Sequence, residues 1–277
     1  MRDPFKIDGP TCISFSGGRS SAYMLRLVLD SNGGLPADAH VVFANTGKED
    51  EATLRFVVDC SERWSVPIEW VEYQPAQQEG GPLFKRVTFE TASRKGEPFD
   101  AMIAGKQYLP NPMERFCTVI LKVIPAIQYM RWRGHNEHDN LLGMRADEPE
   151  RVAKIHAKPS GGSAGVDRRA PLAEAGKGKH DVAAFWRAQP FDLALPLVNG
   201  KTIGGNCDLC FNKPPFERLS LIRAKPQRVI WWDNHERKRG ARFTKDGPSY
   251  AQLAAYARDQ RDMFDPDEEA IPCFCGD

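Results

Sequence analysis

The sequence predicts an α/β fold, a parallel sheet with helices on both faces, followed by a mostly helical C-terminal part. Three observations carry this expectation. As far as Tyr73, short apolar runs alternate with segments whose apolar residues recur at helical spacing. A glycine turn, Ser16-Gly17-Gly18-Arg19-Ser20-Ser21, stands between the first run and the first such segment. From His180 onward the pattern is mostly helical. With 277 residues, 41% hydrophobic and 27% charged, the chain is expected to form one large domain, or a core with an appendage. The boundaries expected are 1–190 for the α/β part and 191–277 for a cysteine-bearing helical region packed on it.

Element by element, "TCISFS" reads as a strand and "SSAYMLRLVLD" as the helix after it, with Ser20 as a helix cap. "HVVFANTG" is a second strand, "DEATLRFVVDCSERWS" a helix and "PIEWVEY" a third strand. Residues 74–112, rich in Gly, Pro and charge, read as an irregular excursion covering the site. "TVILKVIPAIQYMRW" is helical in pattern despite Pro125, and "DNLLGMRADEP" is a strand with a turn at its end. "KPSGGSAGVDRR" is expected to be a loop, and the chain is expected to end in a coil carrying its last two cysteines. No internal repeat is visible.

A formal net charge of +1 exerts no global pull on nucleic acid or membrane, and no apolar run reaches the roughly 18 residues of a membrane span. The N-terminus "MRDPFKIDG" lacks a secretory apolar region, so a cytoplasmic protein is expected, with no membrane partner. There, seven cysteines suit reduced thiols or metal ligands better than disulfides. An oligomer is compatible with this composition.

The glycine turn has a physical reading. A strand entering a helix through small residues directs backbone N–H groups outward at the positive end of the helix dipole, which suits phosphate. Gly17 and Gly18 permit close approach and positive φ, while Ser16, Ser20 and Ser21 add hydroxyls. The turn is neither a Walker A motif nor GxGxxG, and such turns also occur without ligand. Cys207 and Cys210 form C-x-x-C before a helix, Cys273 and Cys275 form C-x-C at the end, and Cys117 starts a helix whose dipole favours thiolate. Thiols on such spacings suit zinc or an iron–sulfur cluster, and the alternative is a reduced or redox pair at 207 and 210. Cys12 and Cys60 read as small buried hydrophobes.

Five segments, in order, resemble the PP-loop ATP pyrophosphatases and the phosphoadenosine phosphosulfate (PAPS) reductase family: "SFSGGRSSAYML", "FANTGKEDEATLRFV", "RFCTVILKVIPAIQYM", "GMRADEPER" and "RRAPLAEAGKGKHDVAAFW". Together they cover roughly residues 10–190. One departure is Ser20, where the family pattern has an acidic residue or Thr. The resemblance implies the adenine nucleotide alpha hydrolase-like fold. It implies nucleotide contacts from Ser14, Ser16, Gly17, Gly18, Arg19, Ser20, Ser21, Asn45, Thr46, Gly47, Arg115, Gly143, Arg145 and Arg151. Lys122 is a further anion-neutralising candidate. In open parallel sheets ligands bind at the C-terminal strand ends, where the loop, the Asn45 segment and Arg145 all fall.

The resemblance also implies a [4Fe-4S] cluster on Cys117, Cys207, Cys210 and one of Cys273 or Cys275, with Zn²⁺ as the alternative. Expected catalytic residues are Arg145, at phosphate or sulfate, and Cys275, as a tail nucleophile. The function expected first is cleavage of ATP, as its Mg²⁺ complex, to AMP and pyrophosphate, activating an acceptor by adenylation and linked to iron–sulfur chemistry. PAPS or adenylyl-sulfate reduction to sulfite, and a nucleotide-binding module with structural zinc, are the alternatives. The partners expected are the nucleotide, and a nucleic-acid acceptor or a sulfur-donor protein. The basic aromatic stretch "RVIWWDNHERKRGARF" suits either nucleic acid or a solvated helix with a buried Trp pair.

Overall fold

The computed structural model describes residues 3–155, 164–198 and 201–259. A six-stranded sheet organises the first part, in the order β4-β3-β2-β1-β5-β6. Its strands are β1 (Thr11–Ser14), β2 (Ala39–Asn45), β3 (Ile68–Tyr73), β4 (Phe84–Val87), β5 (His138–Leu142) and β6 (Val166–Arg169). All neighbours run parallel except the edge pair β3–β4. The chain moves outward from β1 through β2 to β3, then returns to lay β5 on the other side of β1. That reversal opens a crevice at the C-terminal ends of β1 and β5.

The helices of this part are α1 (Arg19–Asn32), α2 (Glu51–Arg63), α3 (Glu97–Lys106), α4 (Phe116–Thr118), α5 (Ile124–Trp132), α6 (Pro149–Ile155), α7 (Pro171–Glu174) and α8 (Lys179–Arg187). The alternation of side chains explains why helices cover both faces. Ile13, Val41, Phe43, Ile68 and Trp70 point into one core with Leu25, Phe56, Val57 and Trp186, while Cys12, Val42 and Val71 pack against Ala126, Tyr129 and Met130 of α5. Between α4 and α5 the helix widens into a π turn, Val119–Val123. Pro125 has no N–H to give the Leu121 carbonyl and its ring crowds that oxygen, so a wider turn here relieves both problems.

The excursion expected at 74–112 holds two regular elements, β4 and α3. The loop expected at 158–169 is corrected at its end, where Val166–Arg169 is strand β6; residues 158–163 lie outside those described. After a small hairpin, β7 (Leu197–Val198) and β8 (Lys201–Thr202), come α9 (Pro215–Ala224), α10 (Val229–Arg239) and α11 (Tyr250–Asp259). Their core is shared: Phe99, Met102, Ile103, Leu109 and Leu121 pack with Leu209, Phe211, Trp232, Tyr250 and Leu253. Among the described residues no helix is long and apolar enough to cross a membrane.

Candidate functional site

β1 ends at Ser14 and the chain turns into α1 through Gly17 and Gly18. Gly17 has φ +76°, and a Cβ there would stand 2.6 Å from Thr53 Cγ2, so a larger residue would be both strained and crowded. Gly18, expected to share that freedom, is extended with φ −100°. It is Gly18, rather than Ser20, that occupies the N-cap, and Ser20 lies inside the helix. α1 begins with no side-chain cap and no acidic residue in its first turn, so its first N–H groups and dipole present uncompensated positive charge.

Ser21 braces this loop. Its Oγ accepts from the Ser16 N–H at 3.2 Å and the Ser16 hydroxyl at 2.9 Å, and donates to the Gly18 carbonyl at 3.0 Å. Ser14 donates to Asn140 Oδ1 at 2.7 Å, which ties β1 to β5 beside the loop. Gly143, just past β5, lies so close to α1 that a Cβ would meet Ser21 Cα at 2.8 Å. A cavity of about 110 Å³ opens here, walled by Ser14, Ser16, Ser21, Asn140 and Gly143 on one side and by Thr118 and Lys122 on the other.

The arginines divide. Arg145 donates to Ser20 Oγ at 3.0 Å and pairs with Asp147 at 3.1 Å, so it stands over the start of α1. Arg151 is 7% exposed and pairs with Glu148, while its Nε and one terminal nitrogen find no partner among the described residues. A buried guanidinium with spare donors suits an anion. Arg19, expected at the phosphates, has its side chain elsewhere: it grips Asp192 at 2.7 Å, Thr202 at 2.9 Å and the Leu193 carbonyl at 2.6 Å. Its guanidinium clamps the C-terminal region to α1. Arg115 immediately precedes α4.

At the end of β2, Asn45 is fully buried and turned inward. It donates to Glu72 Oε1 at 2.6 Å and to the Ser93 carbonyl at 2.9 Å, and its Oδ1 accepts from Gly47 N–H at 3.2 Å. Its side chain therefore holds the Asn-Thr-Gly turn in shape. Glu72, a carboxylate on β3 that also accepts from the Ser93 N–H and hydroxyl, is the anchor of that network. Sequence reasoning missed it, although a Glu flanked by Val71 and Tyr73 in a strand was a visible signal.

The cysteine loop is stitched to the same turn. Cys207 forms an isolated antiparallel bridge with Glu49, its Sγ lies 3.5 Å from Thr46 Oγ1, and Asp208 N–H donates to the Lys48 carbonyl at 2.6 Å. Lys48 Nζ pairs with Asp208 Oδ2 at 3.2 Å, both side chains under 10% exposed, and Trp232 Nε1 donates to Asp208 Oδ1 at 2.9 Å. Cys117, Cys207 and Cys210 line one small cavity of about 20 Å³, which also touches Thr46, Thr118, Lys122 and the buried Asn212, whose Oδ1 has no partner among the described residues. Thr118 and Lys122 therefore line both cavities.

Among the described residues no three His, Cys, Asp or Glu side chains are grouped as a metal-binding set. Cys273 and Cys275 lie outside the described residues. Cys12 and Cys60 sit in the two cores of the sheet; burial pushes the Cys12 thiol up to about 12 and raises Cys60 as well, which makes both poor ligands and nucleophiles. Trp232 is fully buried, and Trp231 donates to Asp100 Oδ1 at 2.9 Å, so this pair serves packing.

Comparison with known proteins gives four likenesses. The phosphoadenosine phosphosulfate reductase domain matches residues 10–159. The uncharacterized nin region protein ORF290 of Escherichia phage lambda is 34% identical over 207 residues, which is 73% of this chain and 65% of that protein's length. The crystal structure of PAPS reductase from Candida auris, a phosphate complex, has TM-score 0.40 at 16% identity, over 67% of this chain and 76% of that one. The U34-tRNA thiolase NcsA from Methanococcus maripaludis, with its [4Fe-4S] cluster, has TM-score 0.43 at 15% identity, over 94% of this chain and 74% of that one.

Proposed function

The chain belongs to the phosphoadenosine phosphosulfate reductase domain family, and from that premise we propose that it is an ATP-cleaving enzyme that activates an acceptor for sulfur chemistry. ATP is cut between its α- and β-phosphates: the acceptor oxygen takes AMP, pyrophosphate leaves, and a sulfur nucleophile then displaces AMP. What supports this reading is the shared wall. Thr118 and Lys122 face the phosphate-loop cavity and the thiol cavity at once, so a site for anions and a set of thiols adjoin.

The chain's own groups have distinct tasks. The uncapped start of α1 holds phosphate oxygens, Ser16 and Ser21 keep the loop in shape, and Arg145 and Arg151 neutralise the leaving pyrophosphate. Lys122 supplies positive charge between the two cavities. A [4Fe-4S] cluster would be held by Cys117, Cys207, Cys210 and one of Cys273 or Cys275. The three described thiols share one cavity, and that donor type fits such a group better than it fits Mg²⁺ or Ca²⁺. When bound, it would supply a site for a sulfur nucleophile or for electrons. Cys275 would be the spare thiol or fourth ligand.

The second reading is reduction of PAPS to sulfite by a tail cysteine, favoured by the family to which residues 10–159 belong. The deciding experiment incubates anaerobically purified protein with labelled ATP, sulfide and a set of candidate acceptors, and separately with PAPS plus a thiol reductant. AMP and pyrophosphate are expected, and ADP with inorganic phosphate would exclude this route. Sulfite from PAPS without ATP turnover would transfer the protein to the second reading. Iron and acid-labile sulfide, measured with the visible spectrum in wild type and in Cys117→Ala, Cys207→Ala and Cys210→Ala, test the ligand set independently of turnover.

A further inference from the structure

We propose that His40 and His135 form a metal site apart from the thiol cavity, a two-imidazole chelate for a divalent transition cation such as Zn²⁺. The pair lies at the N-terminal end of β2, across the sheet from the phosphate loop, and rests on none of the functional reading above.

Three of the chain's six histidines, His40, His135 and His138, gather here. His40 is the second residue of β2, and its ring packs edge to face on Tyr129 of α5, 5.8 Å between centres. His135 follows the end of α5. Gly134 there has φ +93°; its N–H donates to the Arg131 carbonyl at 2.9 Å, and the His135 N–H donates to the Met130 carbonyl at 2.9 Å. These two bonds make the left-handed helix stop that favours glycine, and they fix the backbone of His135. His138 Nδ1, a donor because a carbonyl only accepts, holds the His135 carbonyl at 3.2 Å. Regular structure, rather than their mutual contact, places both imidazoles.

The two Nε2 atoms face each other at 3.3 Å. A good hydrogen bond from an N–H donor spans about 2.7–3.2 Å. Two imidazoles on one tetrahedral Zn²⁺, with Zn–N of about 2.0–2.1 Å, hold their nitrogens about 3.3–3.4 Å apart. The ring centres agree. They lie 5.3 Å apart, with the planes tilted by 39°. Lone pairs converging on one such ion would set the centres about 5.2 Å apart, and a straight hydrogen bond at this N···N distance about 5.6 Å apart. The nitrogens therefore aim at a shared point beside the line that joins them.

The surroundings leave the lone pairs available. Burial, then Arg133 and His135, hold His40 below the ordinary imidazole value of 6.5, so at pH 7 its ring is mostly neutral, the form that binds metals. Glu69 and Asp38 act on His40 in the opposite sense and would offset part of an ion's charge; Glu69 also pairs with Arg86 at 2.9 Å. Among the described residues no third His, Cys, Asp or Glu completes a set, so water fills the remaining positions. His135 is half-buried between exposed Gly134 and Asn136, which opens that side to solvent. Imidazole pairs favour Zn²⁺, Ni²⁺ or Cu²⁺ over Mg²⁺ and Ca²⁺, which take oxygen ligands. An ion held here would pin the turn between α5 and β5 to β2.

The test is calorimetric titration of the full chain with Zn²⁺, in wild type, His40→Gln and His135→Gln. Glutamine keeps a hydrogen-bonding amide but is a poor zinc ligand, so these variants separate a chelate from a hydrogen bond. The thiols also take up zinc, and the difference between proteins removes their share. Wild type is expected to bind one equivalent more than either variant, and Zn²⁺ should raise its melting temperature further than theirs. His135→Cys, which restores a zinc ligand, should recover the lost equivalent. Melting in EDTA establishes that the variants are folded. Equal stoichiometry in all the proteins overturns the proposal, as does a response to Mg²⁺ equal to that with Zn²⁺. A readout that needs no variant is the ring NMR signals of His40 and His135. They are expected to move together as Zn²⁺ is added to wild type, and signals that stay in place overturn the site.

Discussion

At the residue scale, the site was legible where backbone chemistry carries it and illegible where side chains bind each other. The Ser-Gly-Gly turn and the C-x-x-C loop stand out in the sequence because few residue types tolerate their geometry or supply their thiols. Arg19 could not be read correctly, because its fate depends on Asp192 and Thr202, far along the chain. Glu72 stood out as a carboxylate in an apolar strand, but its partners Asn45 and Ser93 could not be read for the same reason. Thiol environment gives a first prediction. Cys12 and Cys60 are 1% and 0% exposed, with thiols raised by burial, whereas Cys117 and Cys210 are half-buried at a cavity. Alkylation of the native, metal-stripped chain followed by peptide mass mapping should label Cys117 and Cys210 and spare Cys12 and Cys60. Labelling of Cys12 before Cys117 would refute the burial argument. The histidines give a second. Burial lowers the pKa of both His40 and His138 from the ordinary 6.5, reinforced at His40 by Arg133 and His135. The unfolded chain therefore takes up protons first as pH falls, so their contribution to stability is complete above about 6.5 and lost below it. Urea midpoints should drop between pH 7 and pH 5, and the drop should shrink in the His40→Asn, His138→Asn double variant. An identical pH slope in that variant would remove these two residues from the account.

Elements were legible in proportion to their burial. β1, β2 and β3 declared themselves because residues on both faces must be apolar, and α1 and α2 because one stripe must be. β4 and β6 did not. Each is a four-residue edge strand rich in Lys, Arg or Asp, which is how edges avoid further pairing but also erases the strand pattern. The coupling between the β2 turn and the cysteine loop was also invisible, since it depends on Lys48 and Asp208 meeting across a long separation. That buried pair carries the third prediction. Removing one partner leaves the other charge buried, so Lys48→Met should cost about 3 kcal/mol or more of unfolding free energy. Asp208→Asn should cost less, since an amide oxygen can still accept from Trp232 Nε1. In a double-mutant cycle the combined change should fall short of the sum. Denaturant titration of all four proteins is sufficient, and additive losses would mean that the two groups do not see each other.

At the scale of the whole molecule, the expected division at residue 190 follows the composition but cuts across the packing. The second core draws Phe99, Met102, Ile103, Leu109 and Leu121 from the α/β part and closes them with Leu209, Phe211, Trp232, Tyr250 and Leu253 from beyond the boundary. Further ties cross the same line: Arg19 to Asp192, Lys48 to Asp208, and Asp50 to both Lys225 and Arg228. A chain ending at Pro190 would expose five large apolar side chains, each worth about 1.5–3 kcal/mol when buried. The sum, on the order of 10 kcal/mol, is comparable to the whole stability of a typical domain. It would also leave Lys48 buried without its carboxylate. The fourth prediction is that residues 1–190 do not form an independent folded unit. Expressed alone, that fragment should aggregate or bind a hydrophobic dye, and should lack a cooperative unfolding transition. If it proves monomeric, with a sharp transition and undiminished ATP affinity, the second core is an accessory and the boundary read from composition is the physical one. If it fails, while a fragment extended to residue 259 folds cooperatively, then the thiol loop belongs to the same folding unit as the phosphate loop. In that case Trp232→Ala, at a side chain that lines the thiol cavity but not the phosphate-loop cavity, should weaken both nucleotide binding and thiol protection by loosening the wall they share.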